Sequence, residues 1–548
     1  MSLLRRFRRQ IARRRQPAPR RKPAPDQGAR RAFLEPLEPR ILLSADLTHA
    51  MAGGVNDLTL QLQDVDGVDT LQLVDHQAAD LDSRVVASQA LAETDLVEIT
   101  GSAGNDIFTV ALDPDGLLDA IPITFTDASD TDSDALRMTG ADHVWRITGD
   151  NAGSVAGLRF SGIEGLVGGE GRDHFLFEGE ASVTGPVDGG GGENHIDFSA
   201  AAVDVTVNLA DGSATGTGAI ENIQAVSGGA GNDTIIGPDT DTSWHIDSPD
   251  AGSVAGMAFS GMENLQGGGG ADVFVFAQGG RISGVVDGGG GVNTLDYSNW
   301  TVDVAVDLAK GRASGAGGVA NIQNVVGGAG NDTLAGDSGA NVLKALAGDD
   351  RLSGGAGADD LSGGQGEDVL IEERDADLVL TDGSLAIGAE GTDTLCAIER
   401  AELSGGAGDN TIDASGFSGS AILAGMQGDD TFIAGPGVNV YSGGPGNDTL
   451  AGEDKVNRWD LIGAGSGNLN GSIFEKIENL LGGAVADSFL LASGAMAAGR
   501  IDGRQGKDRL VGGNGGGRAA RRGAVGTDLI GRVEHLGALV ADVVLAPG

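Results

Sequence analysis

The sequence predicts an all-β fold, a parallel β-solenoid built from glycine-rich repeats and preceded by a disordered basic N-terminus. Three observations lead there. Glycine supplies 95 of 548 residues while aromatics make up 4%, so the core is expected to be thin, regular and filled by small aliphatic side chains. A nine-residue unit recurs in tandem, and a longer unit recurs around it, the mark of stacked supersecondary units. Short stretches such as HFLF, VFVF, DVTVNL and DVAVDL alternate between glycine turns as strands do.

The elements follow in order. Residues 1–30 are basic and proline-bearing and read as a disordered tail. Residues 31–50 carry FLEPLEPRILLSAD at 33–46, whose apolar core ILLSA is too short for a signal-peptide core. Residues 51–145 read as leading β-rich repeats, with short helical pieces conceivable only near 75–95. Residues 146–326 hold two copies of a long repeat: Trp145, Phe160, Glu164 and Asp173 return 99 positions later as Trp244, Phe259, Glu263 and Asp272. Sixth-position residues in these copies, Asp173, Asn194, Asp233, Asp272 and Asn293, suggest coils of about twenty residues. Tandem nonapeptides occupy 327–371 and further ones lie within 372–458. A third long copy, with Trp459, Phe474, Glu478, Asp487 and Phe489 in register, spans 459–512, and 513–548 leaves the pattern.

Within 327–371 the units begin at 327, 336, 345, 354 and 363. Their sixth residues are Asp332, Asn341, Asp350, Asp359 and Asp368, and their eighth are Leu334, Leu343, Leu352, Leu361 and Leu370. A second run begins at Gly416, with Ala421, Asp430, Asn439 and Asp448 sixth and Leu423, Phe432, Tyr441 and Leu450 eighth. Two units make one coil of turn, strand, turn, strand, so alternate units stack on the same edge about 4.8 Å apart. The eighth residue then points inward, and the sixth faces the neighbouring turn. Asp332, Asp350 and Asp368 stack on one edge, Asn341 and Asp359 on the other, and Asp430 over Asp448 in the second run. Gly327, Gly330, Gly354, Gly357, Gly363 and Gly366 permit φ > 0 and turn carbonyls toward the turn interior. Carboxylates and carbonyls at this spacing form a cage of hard oxygen donors suited to Ca2+, and less to Mg2+ with its tight octahedron.

These units resemble the RTX (hemolysin-type) calcium-binding nonapeptide repeat, G-G-x-G-x-D-x-U-x with U large and apolar. The residues at 33–46 resemble the LEPR-XLL segment near the start of long bacterial secreted and surface proteins. The resemblance implies an RTX β-roll, calcium-dependent folding outside a Gram-negative-type cell, and export by type I secretion machinery without a cleaved signal peptide.

Charge and composition limit the alternatives. Residues 1–40 carry 13 Lys/Arg against 3 Asp/Glu, leaving 23 against 76 for the remainder; so acidic a body repels nucleic acid and attracts cations. No apolar run reaches the length needed to span a bilayer. GGGG at 189–192 lacks the Gly-Lys-Ser/Thr of a phosphate loop. The seven histidines form no His-Glu-x-x-His, so no zinc protease is indicated. The recurrent tryptophans read as packing at a coil corner, and Cys396 as a small apolar filler. Two functions remain: a non-enzymatic, calcium-stabilised secreted or cell-surface protein of adhesin or matrix type, its surface ligand unknown, or a β-solenoid enzyme acting on polysaccharide.

Overall fold

The computed structural model describes residues 45–78, 84–112, 121–129 and 132–512, with the strands Gly515–Ala519, Leu536–Leu539 and Val543–Val544. The basic tail and most of residues 33–46, which resemble the LEPR-XLL segment, lie outside these residues. Among the described residues there is no α-helix; the one helical turn is a three-residue 3-10 piece, Leu91–Glu93. Beside it Val85–Ala90 is extended and pairs antiparallel with Val68–Asp75.

Period-two alternation builds each coil. In Asp173–Glu178 the residues Phe175 and Phe177 point in and His174, Leu176 and Glu178 point out. In the tandem run Thr333–Ala335 and Arg351–Ser353 shorten to three residues with a single inward leucine, while Val342–Ala347, Asp360–Gln365 and Val369–Glu373 run to five or six. Leu334 pairs parallel with Leu352 and Leu352 with Leu370 in a 13-stranded sheet. Leu343 pairs parallel with Leu361 and Leu361 with Leu395 in a 26-stranded sheet. Successive strands alternate between the two sheets, and their inward leucines close a core between them. That core is one continuous hydrophobic cluster from Leu47 to Ile501.

Coil length varies more than the sequence spacing suggests. Along the hydrogen-bonded edges the step is 18 residues from Asp332 to Asp350, 21 from Asp173 to Asn194 and 30 from Asn194 to Gln224. Coils are therefore not uniformly near twenty. The extra length is absorbed by antiparallel excursions. His143–Gly149, Ala152–Val155 and Leu158–Ser161 form a meander whose outer strands rejoin the parallel stack at Asp173–Glu178 and Ile123–Thr126. The recurrent AGSVAG closes its second hairpin through Ala156 (φ 44°) and Gly157 (φ 82°), the double positive φ of a two-residue turn matched to strand twist.

Aromatic residues are few but mostly internal, so the core outside the tandem run is not purely aliphatic. Trp145 stacks on Phe175 with centroids 5.3 Å apart, Trp244 on Phe274 at 5.5 Å and Trp459 on Phe489 at 5.4 Å. All three tryptophans are fully buried. Cys396, by contrast, is exposed. Leu395 takes the inward position and pairs with Leu361, which turns Cys396 outward beside Ser362.

Candidate metal centre

Each turn places its sixth residue under the strands, and the residue is held by an edge ladder. The Asp332 N–H donates to Asp350 Oδ1 at 2.6 Å, the Asp350 N–H to Asp368 Oδ1 at 2.9 Å, and the Asp368 N–H to Glu399 Oε2 at 3.0 Å. On the opposite edge Asn341 donates to Asp359 Oδ1 at 2.8 Å and Asp359 to Asp393 Oδ1 at 3.0 Å. In the second run Asn410 donates to Asp430 and Asp430 to Asp448, both at 2.9 Å, and Asp448 to Glu478 Oε2, also at 2.9 Å. Each carboxylate thus spends Oδ1 on the backbone of the preceding coil. All these aspartates are buried.

The second oxygen divides the turns into two kinds. In Asp332 it accepts the Gly328 N–H at 2.7 Å while Oδ1 accepts from Val304 at 2.8 Å, so the carboxylate is satisfied by the protein. Asp173, Asp233 and Asp487 are capped the same way by Gly169, Gly229 and Gly483. In Asp350, Asp359, Asp368, Asp430 and Asp448 the Oδ2 atom is buried without a hydrogen-bond partner. The backbone gives the reason. The second turn residue in these five units has positive φ: Leu346 (80°), Gly355 (90°), Gly364 (113°), Met426 (77°) and Gly444 (116°). That rotation takes its N–H away from the carboxylate, whereas Gly328, Gly169 and Gly229 keep negative φ and point theirs at it.

Of the six glycines singled out by sequence, only Gly357 (φ 128°) and Gly366 (φ 140°) adopt positive φ. Gly327, Gly354 and Gly363 are required for a different reason: a Cβ on any of them would collide with the Oδ2 of its own unit's aspartate. A Cβ on Gly330 would strike the Val302 backbone. Around the open turns the carbonyls of Leu346 and Gly348 abut Gly364 and Gly366 so closely that a Cβ would overlap them. The donor set at these turns is therefore all oxygen, carboxylate and carbonyl, which is what a large hard cation takes.

Burial raises the bare carboxylates, as it does the capped Asp332 and Asp487. Burial, with Asp332, Asp368 and Asp349 nearby, pushes Asp350 up to about 6. Burial and Asp393 push Asp359 up to about 6. Asp368, Asp393, Asp430 and Asp448 are also raised, in each case chiefly by burial. A carboxylate hydrogen-bonded at one oxygen and bare at the other resists ionisation unless a cation supplies the missing field.

Asn341 and Asn439 sit at the predicted edges but are satisfied within the protein. Asn341 accepts from Asp337 at 2.8 Å and donates to Gln323 O at 2.9 Å, and Asn439 accepts from Ala421 at 2.8 Å and donates to Tyr441 Oη at 3.0 Å. Asp393, which the nonapeptide frame does not include, joins the second edge with its Oδ2 buried and bare. Its signal in the sequence is faint, a lone Asp after Gly391 in a 34-residue step from Asp359. Glu399 and Glu478 end ladders; the long-repeat alignment brings Glu478 into register with Glu164 and Glu263 without assigning it a role. Arg374 pairs with Glu372 at 2.9 Å and lowers the proton affinity of Asp359 and Asp393, so a protein cation already stands at that end.

The pattern of the RTX calcium-binding nonapeptide repeat matches four segments, residues 225–237, 318–345, 336–370 and 415–450. The chain carries RTX calcium-binding repeats. Five of the bare carboxylates, Asp350, Asp359, Asp368, Asp430 and Asp448, lie inside the third and fourth RTX matches. The first RTX match contains Asp233, whose two oxygens are taken by Val205 and Gly229 at 2.7 and 2.6 Å. No curated protein matches the chain.

Proposed function

We propose that this is a calcium-stabilised repeat protein of the cell exterior, of adhesin or matrix type, which acts by presenting a surface and catalyses no reaction. The observation that carries the reading is the row of buried, bare carboxylate oxygens in the RTX turns. Asp350, Asp359, Asp368, Asp430, Asp448 and Asp393 would hold Ca2+ together with turn carbonyls. The ion neutralises like charges that the fold stacks one strand spacing apart, so binding and folding are linked. Extracellular calcium modules bind in the range of about 10⁻⁴–10⁻³ M, and a site tuned there is empty in a cytoplasm. The chain would then pass through type I export machinery unfolded and fold on emerging. Among the described residues no helix is long and apolar enough to cross a membrane.

The non-enzymatic reading is supported by where the aromatic rings go. Trp145, Trp244, Trp459, Tyr297 and Tyr441 are all fully buried, which leaves few platforms on which a sugar could stack. With a net charge of −43, a polyanionic partner such as nucleic acid is disfavoured. The test is circular dichroism of the full chain titrated with calcium, magnesium or chelator, beside fractionation of expressing cells. β-signal gained at millimolar calcium, with the protein outside the cell, is expected. A chain equally folded in excess chelator would refute calcium-driven folding.

A further inference from the structure

The turns that follow these strands ordinarily begin with glycine. A Cβ on Gly168, Gly228, Gly267 or Gly327 would collide with the aspartate of the same turn. Alanine takes that place at Ala345 and Ala434, and one turn puts a carboxylate there. After the strand Ile123–Thr126 the first residue is Asp127, and the ladder aspartate, Asp134, comes two residues later than in a nonapeptide. Asp134 does occupy the ladder: the Asp106 N–H donates to its Oδ1 at 2.8 Å, and its own N–H donates to Glu164 Oε2 at 2.8 Å. The Asp127 carboxylate lies over Gly101 of the adjacent coil.

Carboxylate oxygens of Asp106, Asp127 and Asp134 all fall within 4.8 Å of one another. Asp134 is 1% exposed, and its Oδ2 is buried with no partner. Both oxygens of Asp132 in the same turn are buried without a partner as well. Asp106 is better served, accepting from the Ser102 N–H and from Asn56 Nδ2, each at 2.6 Å. Among the described residues, no ion pair reaches any of the four.

We propose that Asp127 and Asp134, against Asp106 and with the charge of Asp132 nearby, form a calcium site of a different construction from the RTX turns. It lies upstream of every matched repeat. It is made by placing a carboxylate in the position that the nonapeptide ordinarily gives to glycine. An all-carboxylate oxygen set within this reach suits Ca2+, which takes many oxygens in a flexible shell, better than Mg2+, which demands a tight octahedron and keeps its waters. Burial and the neighbouring Asp127, Asp106 and Asp132 push Asp134 up to about 7, the response of a carboxylate whose counter-charge is missing. Ile123–Thr126 pairs on one side with Thr94–Thr100 and on the other with Leu158–Ser161. An ion at its end ties the leading coils to the first long repeat.

The test uses the full chain and Asp127→Gly, which restores the residue with which these turns ordinarily begin. Bound calcium is measured by equilibrium dialysis with a radioactive tracer, and calcium-induced protection by hydrogen exchange in peptides covering 97–112 and 132–138. The wild type is expected to gain protection there with calcium and not with equimolar magnesium. Asp127→Gly should bind fewer ions and lose that protection, while peptides from 345–451 still respond. If Asp127→Gly does not fold, Asp134→Asn, which keeps the Oδ1 that accepts the Asp106 N–H and removes the charge, is read the same way. A wild type without calcium-dependent protection in these peptides overturns the site, as do variants that keep both the ions and the protection. Absence of response only in 345–451 would instead count against the RTX turns.

Discussion

Asp350→Asn separates the protein's two uses of one carboxylate. Oδ1 accepts the Asp332 N–H at 2.6 Å, and asparagine keeps that bond. Oδ2 is buried and bare, and asparagine replaces it with an uncharged N–H donor. The folded protein raises Asp350 from 3.8 to about 6, so holding it ionised at neutral pH opposes folding by roughly 3 kcal/mol at 1.36 kcal/mol per unit. In chelator the variant should therefore be at least as stable as wild type, by up to about that amount. In calcium the sign reverses. For a site with Kd near 10⁻⁴ M, raising calcium to about 10 mM stabilises the folded state by about 2.7 kcal/mol, and the variant forgoes most of it. The assay is urea unfolding of the full chain in calcium and in chelator, with hydrogen exchange of peptides in 345–371 locating the change, since repeat arrays need not unfold in one step. Curves that cross between the two conditions are expected. A variant destabilised equally in both would show that Asp350 serves only the ladder and that no ion is bound there.

Other outcomes follow from the same geometry. Because the folded state raises Asp350 and Asp359 to about 6, their contribution favours folding below the unfolded value near 4 and is lost as pH rises through 6. The chelated chain should therefore show more β-signal at pH 4.5 than at pH 7.5, and calcium affinity should fall below pH 6, both readable by circular dichroism. Asp332→Asn, at a carboxylate already satisfied by Gly328 and Val304, should leave calcium stoichiometry unchanged in equilibrium dialysis. Leu352→Asp buries a charge in a core one side chain thick, at a residue with no exposure, and should lower stability by several kcal/mol. Retention of the wild-type melting temperature in calcium would contradict the inward placement.

The sequence alone determined the solenoid, the run of inward leucines from Leu334 to Leu370 and the assignment of alternate units to opposite edges, because a nine-residue period with strand alternation has few ways to close. It did not show the antiparallel meanders, since AGSVAG has no hairpin signature as strong as Asn-Gly. Nor could it tell which aspartates keep a bare oxygen. GGAGND at Gly327 and GGAGAD at Gly354 are nearly the same string, yet Asp332 is capped and Asp359 is not. The difference lies in what each turn stacks upon. Gly328 rests on the Tyr297–Trp300 turn of a long coil, whereas Gly355 rests on the carbonyl of Asp337 in another nonapeptide turn. The neighbour one coil away thus accompanies the sign of φ at the second residue, and that sign aims or withdraws a single N–H. Period and polarity are local and legible in the chain. The partner of one buried oxygen is decided between coils, where only the tertiary structure brings the atoms together.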